Sequence, residues 1–300
     1  MSRFHGVDPL EALAALNVKD FSAVQPVSGG MDTLIYRVDT AHATYALRLF
    51  RPDQGEQCSH EIRAMQLVGR LGVPAPRIVA HGIWGDRPAI LMEWYEGRTV
   101  FDQSLAHPEL IEPLGLSMGR LLARLHAVSV PTEYWEDHRS WLSMAGPDEM
   151  ELTARLRDLG LRDGRILHLD FHPLNILCVG QEATVILDWA NVAVGDTRAD
   201  VARTMSILRL VSPPPAVSAP DFYSLRMALE RAWIEGYTQI AGPLPDLTLF
   251  EIWAGVAFIR DMEKKIGMPE FWMEPADFDR LRSHVATLKR RAGLSENAYP

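Results

Sequence analysis

The chain's 300 residues, 47% apolar and 23% charged, are enough for one large or two modest domains with a sizeable core, and no apolar run approaches the roughly 20 residues of a membrane span. The net charge of −9 is concentrated late: nine Lys/Arg stand against ten Asp/Glu through Glu93, and 21 against 29 beyond it. That bias runs against a grip on nucleic-acid backbone and suits a cationic small molecule or a solvated acidic surface. The first residues, MSRFHGVDPLEALAALNV, lack a basic stretch followed by an apolar one, so no export signal is expected. Two cysteines, Cys58 and Cys178, are too few for a disulfide framework and fit a cytoplasmic protein.

Asp8-Pro9 predicts a short helix, with Asp as cap and Pro in the first turn. Strands follow at residues 24–28, 34–38 and 45–50, with Gly29-Gly30 as a hairpin break. Residues 59–71 carry a helical apolar pattern (Ile62, Met65, Leu67, Val68 and Leu71) that ends at Gly72. Val73-Pro-Ala-Pro-Arg77 then leads to strands at 78–80 and 89–93. Beyond Gly97, helices are expected at 110–128, 150–159, 196–210, 222–240, 248–265 and 277–291, with short strands at 166–169 and 184–187. The expected fold class is α+β. A small antiparallel β half with one main helix (residues 1–96) precedes a larger, mostly helical half (97–300), and a seam of this kind favours a ligand cleft.

The chemistry is concentrated in His168-Leu-Asp-Phe-His-Pro-Leu-Asn175 and in Val185-Ile-Leu-Asp188-Trp189. Phosphoryl transfer needs a carboxylate beside the acceptor hydroxyl and a hard divalent cation on oxygen ligands. Asp170 can supply the first. Asn175, on a loop that Pro173 keeps from becoming a helix, and Asp188, after an apolar strand, can supply the second. A different reading uses the alternation of His168, Asp170 and His172, which would share one face of a strand and, with Asp188 and His126, could form the metal site of a hydrolase.

The pattern HLDFHPLNIL followed by VILDWANVAVGDTRADVA resembles the aminoglycoside phosphotransferase / choline-kinase-like family, within the protein-kinase-like fold. The resemblance extends from about residue 24 to 204. It implies a bilobal fold and a kinase that moves the γ-phosphate of ATP or GTP to a hydroxyl of a small acceptor, a cationic one being compatible with the late acidic bias. Asp170 would be the base and Asn175 and Asp188 the Mg²⁺ ligands. Ser28, Gly29 and Gly30 would lie over the phosphates, Arg48 would grip them and pair with Glu61, and the backbone of Glu93, Trp94 and Tyr95 would meet the nucleobase. Asp200 would brace the catalytic loop. On the acceptor side the candidates are Asn191, Asp196, Glu251 and Asp261. Two positions depart from the family pattern: Arg48 stands where Lys is usual, and Leu169 where Gly is common. Arg48 also prompts an alternative, a nucleotide-binding protein without transfer activity. No nucleic-acid or membrane partner is expected.

Overall fold

The computed structural model describes residues 7–27, 33–134, 139–215, 217–268 and 271–295, and the chain divides into two compact units. The first comprises Met1–Gly97 together with Val185–Ala190, a segment that returns from far along the chain. The second comprises Arg98–Thr184 and Asn191–Pro300.

The first unit opens with helix α1 (Pro9–Ala15), capped by the Asp8 side chain, which accepts from the Leu10 amide at 2.8 Å. Strands β1 (Phe21–Val27), β2 (Leu34–Thr40) and β3 (Thr44–Leu49) precede helix α2 (Gly55–Arg70), and strands β4 (Ile78–Trp84) and β5 (Arg87–Glu93) follow it. The sheet order is β1-β2-β3-β5-β4, with neighbours antiparallel throughout. The expected Gly29-Gly30 turn lies outside the described residues. Helix α2 starts four residues before the apolar pattern does, because a single turn at Pro52–Gln54 leads directly into it. It ends where expected, with Gly72 in the left-handed region (φ 71°). Its buried face is Cys58, Glu61, Ala64, Met65 and Val68, so one carboxylate sits within an apolar stripe.

The second unit begins with β6 (Arg98–Thr99), helix α3 (Val100–Ala106) and helix α4 (Ile111–Ala127), then α5 (Met150–Asp158) and β7 (Arg165–Leu167). Next come β8 (Ile176–Val179), β9 (Glu182–Ile186, whose last two residues are counted with the first unit) and β10 (Ala193–Gly195), and then the helices α6 (Thr197–Leu210), α7 (Ala219–Ala241), α8 (Thr248–Glu263) and α9 (Pro275–Arg291). Strand β7 pairs antiparallel with β10, and β6, β8 and β9 form a small second sheet. Helix α3 is absent from the expected elements; its cap is the Thr99 hydroxyl, which accepts from the Asp102 amide at 3.0 Å. Trp141, Phe250, Trp253 and Phe258 fill the core around α8. Among the described residues, no helix is long and apolar enough to cross a membrane.

Helices α4 and α7 approach closely through glycine. A Cβ on Gly119 would lie 2.1 Å from the Trp233 carbonyl oxygen, and one on Gly236 would lie 2.1 Å from that of Leu116. Neither obstacle is a side chain that can rotate away. Gly119→Ala should therefore destabilise the protein by about 2–3 kcal/mol, read as a lower urea midpoint; an unchanged midpoint would mean the helices can separate freely.

Candidate active site

In the first unit, Arg48 leaves β3 next to Leu47 and Leu49, which are buried, and its guanidinium is itself almost buried. One terminal nitrogen, Nη1, pairs with Glu61 Oε1, and Nε donates to Thr33 Oγ1 at 3.0 Å. The other, Nη2, lies 3.7 Å from Asp188 Oδ1, and the Phe50 ring sits 5.0 Å below the group. Glu61 is 1% exposed, and its Oε2 has no hydrogen-bond partner among the described residues. Burial pushes the Glu61 carboxyl up, to about 7, against the pull of Arg48. The longer side chain at position 48 thus reaches three polar groups at once, which a Lys ammonium would do as a point charge.

Asp188 is held in a left-handed conformation (φ 57°) that Asp tolerates better than most residues. The segment before it is anchored by Ile186, whose amide donates to the Pro74 carbonyl at 2.8 Å, and the indole of buried Trp189 donates back to Ile186 O at 3.0 Å. With both flanks fixed, the Asp188 side chain remains 38% exposed. Glu93 and Trp94 spend their amides within this unit, on the carbonyls of Arg77 (2.9 Å) and Thr44 (3.1 Å). The Tyr95 amide has no such bond among the described residues, while its hydroxyl donates to Glu93 Oε2 at 3.0 Å. Ser28, Gly29 and Gly30 lie outside the described residues.

In the second unit, β7 ends at Leu167 and the chain turns into the loop 168–175. Leu169 adopts φ 60°, the left-handed region. This explains why glycine is common there, and shows that the Leu changes backbone energetics as well as packing. Asp200, fully buried on α6, braces the turn: Oδ2 accepts from the His168 amide at 2.6 Å and Oδ1 from the Leu169 amide at 2.8 Å. His126 Nε2 lies 3.1 Å from Oδ2, and its Nδ1 lies 2.8 Å from the Tyr237 hydroxyl. Since an ionised carboxylate can only accept, Nε2 carries a proton. Burial alone would raise the Asp200 pKa; these donors outweigh it and hold the carboxyl below its ordinary value.

Asp170 follows the turn with its side chain 28% exposed. Its amide donates to His168 Nδ1 at 3.3 Å, so His168 is a buried support. Asn175 Nδ2 donates to Asp170 Oδ2 and to the Asp170 carbonyl, each at 3.0 Å, and lies 3.1 Å from His172 Nε2. With its nitrogen turned inward, Asn175 presents Oδ1 in the other direction. His172 Nε2 is 3.5 Å from Asp170 Oδ2. Burial pushes the Asp170 carboxyl up, but His172 and the Arg203 guanidinium outweigh it and keep the group ionised at neutral pH. Pro173 caps the loop by accepting from the Phe101 amide at 3.1 Å, and Asn175 closes a turn onto His172 O at 2.8 Å.

The hydrolase arrangement loses its geometric basis. Residues 168–172 do not form a strand, the His168 ring faces the Asp170 amide, and His126 is spent on Asp200 and Tyr237. Among the described residues, no three His, Cys, Asp or Glu side chains are grouped to hold a metal ion.

The acceptor-side candidates do not form one group. Asn191 is exposed in the turn before β10. Asp196 is fully buried: it caps α6 through the Arg198 amide (3.0 Å), accepts from the Arg162 amide (2.8 Å) and pairs with Arg198 at 2.6 Å, so it offers nothing to a substrate. Glu251 pairs with Arg209 at 3.1 Å. Asp261 pairs with Arg203 and, at 3.3 Å, with Lys264. Arg203, which the sequence did not single out, and His172, which it placed only in the hydrolase arrangement, both bear on Asp170.

Two curated relatives, each named a probable ketoamine kinase, are 30% identical to the chain. That of Staphylococcus aureus aligns over 116 residues (38% of this chain, 36% of the relative), and that of Lactiplantibacillus plantarum over 82 (27% and 29%). The matched stretch is about a third of each relative's length. Among solved structures, a thermostable mutant of aminoglycoside phosphotransferase APH(4)-Ia, in a ternary complex with AMP-PNP and hygromycin B, superposes with a TM-score of 0.66 at 14% identity, covering 96% of this chain and 100% of that one. The aminoglycoside phosphotransferase APH(3'')-Id of Streptomyces rimosus gives 0.55 at 17% identity, covering 84% and 99%. The small antiparallel sheet and the mostly helical remainder are thus those of the protein-kinase-like fold. The profile of the phosphotransferase enzyme family matches residues 23–242, nearly three quarters of the sequence and both the Arg48 and the Asp170 clusters, and the chain belongs to that family.

Proposed function

We propose that the chain is a small-molecule kinase that moves the γ-phosphoryl group of ATP, or of GTP, to a hydroxyl of a polyhydroxylated amine. The loop 168–175 carries this reading: it holds an ionised Asp170 partly open to solvent and turns the Asn175 oxygen away from it. The acceptor oxygen bonds to the γ-phosphorus as the bond from that phosphorus to the β–γ bridging oxygen breaks. The hydroxyl proton passes to the Asp170 carboxylate, and the nucleoside diphosphate leaves with the electron pair.

Asn175 Oδ1 and the Asp188 carboxylate are hard oxygen donors of the kind Mg²⁺ takes, and they would hold it. When bound, the ion offsets phosphate charge. Arg48, kept charged and oriented by Glu61 and Thr33, grips the α- and β-phosphates. Ser28, Gly29 and Gly30 are assigned to the phosphates on the family resemblance. Of the three amides from Glu93 to Tyr95, that of Tyr95 has no backbone partner among the described residues, which suits it to a nucleobase. An amine-bearing acceptor suits the acidic second half of the chain and both kinds of relative, the ketoamine kinases and the hygromycin B complex.

The test is transfer of radiolabelled γ-phosphate from Mg²⁺-ATP to fructosyl-lysine, as a ketoamine, and to hygromycin B. Labelled product from either supports the reading. Nucleotide binding without transfer to any hydroxyl in a broader library would replace it with a nucleotide-binding protein.

A further inference from the structure

The peptide that joins Leu169 to Asp170 is gripped from both sides. Its N–H donates to His168 Nδ1 at 3.3 Å, and its carbonyl, that of Leu169, accepts from Arg203 Nε at 3.1 Å. The Leu169 amide on the far side of the residue is bound by Asp200. Asp200 and Arg203 lie three apart on α6, on one face of the helix, so a single turn of α6 holds Leu169 at both its N–H and its C=O.

Leu169 needs such a hold. At φ 60° its Cβ crowds the backbone, a conformation unfavourable for a non-glycine residue. Its side chain is buried, which fixes it in place but does not select that φ. Arg203 is 2% exposed, an expensive position for a guanidinium, and its Nη1 finds no hydrogen-bond partner among the described residues. Its other two nitrogens are engaged: Nε donates to Leu169 O, and Nη2 to Asp261 Oδ2 of α8. Asp261, whose second oxygen meets Lys264, is therefore the outer strut that fixes the plane of the guanidinium. A Lys could supply the charge but not two donors in fixed directions.

We propose that Arg203, set in place by Asp261, is a positioning residue for phosphoryl transfer: it locks the Leu169 carbonyl and thereby the direction in which Asp170 leaves the backbone. Arg203 and Leu169 then form a matched pair, the Arg supplying the restraint that the leucine requires. The inference rests on the kinase reading for its consequence in rate, and on the backbone geometry for the restraint itself.

Four proteins test it: wild type, Arg203→Met, Arg203→Lys and the double variant Leu169→Gly/Arg203→Met. The assay is ³²P transfer from Mg²⁺-ATP to whichever of fructosyl-lysine and hygromycin B the wild type phosphorylates. In Arg203→Met, kcat should fall roughly ten- to a hundredfold, as expected when a reacting group is displaced by about 1 Å, with KM for Mg²⁺-ATP within about twofold. Arg203→Lys should lose nearly as much, because charge without direction does not restore the restraint. The double variant should recover most of the lost kcat, since glycine adopts the left-handed turn unaided. Wild-type kcat in Arg203→Met, full activity in Arg203→Lys, or no recovery in the double variant would each overturn the proposal.

Amide exchange at Asp170, measured by mass spectrometry or NMR, is read in the same proteins and needs no acceptor. It should be faster in Arg203→Met than in wild type, and equal rates would overturn the restraint. If the wild type transfers no phosphate, the kinase reading fails by itself and the exchange result still decides the restraint. Should Arg203→Met not fold, Arg203→Lys carries the kcat and exchange comparisons with wild type, and Leu169→Gly/Arg203→Lys carries the recovery.

Discussion

Asp170→Asn should lower kcat by about 10²–10⁴-fold while KM for Mg²⁺-ATP changes little. The substitution keeps the size and shape of the side chain. An amide oxygen at this position can still accept from Asn175 Nδ2, which now donates to Asp170 Oδ2 at 3.0 Å, so the loop has no steric reason to move. What disappears is the negative charge that, in the proposed mechanism, takes the acceptor's proton. Asp170 is suited to that step because it stays ionised despite its partial burial: His172 at 3.5 Å and the buried Arg203 both favour the charged form. The loss should appear in a single-turnover experiment, because it falls on transfer and not on product release. Thermal melting of the variant should match a folded protein. A folded Asp170→Asn with wild-type single-turnover rate would remove Asp170 from the role of base.

Much of this arrangement could be read from the sequence, for identifiable physical reasons. Long amphipathic helices declare themselves: α4 runs over residues 111–127 where the apolar periodicity covers 110–128. Helix α3 has only seven residues, too few to establish a period, and its cap, Thr99, was the one local signal. In α2 the stripe Cys58, Glu61, Met65 and Val68 places a carboxylate on the buried face, which the apolar pattern did not show and only the family resemblance singled out. Asp196 could have been retired as an acceptor contact by the same logic. An Asp immediately before a helical run is a cap signal, and the structure spends it there. Leu169 is the opposite case. Nothing in its chemistry predicts a positive φ; only the family's preference for glycine hinted at it, and the restraint by Arg203 depends on a contact between residues 34 apart. Such contacts are set by how α6 packs behind the loop, which no local pattern encodes.

The same packing makes Asp200 a costly position to alter. Asp200→Asn should lower the unfolding free energy at neutral pH by about 3–5 kcal/mol, the range for breaking a buried charged network on one side. The carboxylate satisfies three donors: the amides of His168 (2.6 Å) and Leu169 (2.8 Å), and His126 Nε2 (3.1 Å). An asparagine there has one accepting oxygen, and its NH₂ would face a donor, leaving at least one buried N–H without a partner. The pH dependence separates charge from shape. The folded pKa of Asp200 lies below its unfolded value of about 3.9, so its contribution is fully present above that pH and is lost as pH falls through the folded value. The gap in urea midpoint between wild type and Asp200→Asn should therefore be largest near pH 7 and shrink below about pH 4. A gap that is constant from pH 7 to pH 3 would mean that Asp200 supports the loop by shape alone. No gap at all would mean that the left-handed turn at Leu169 is held by other contacts, with Arg203 the first to examine.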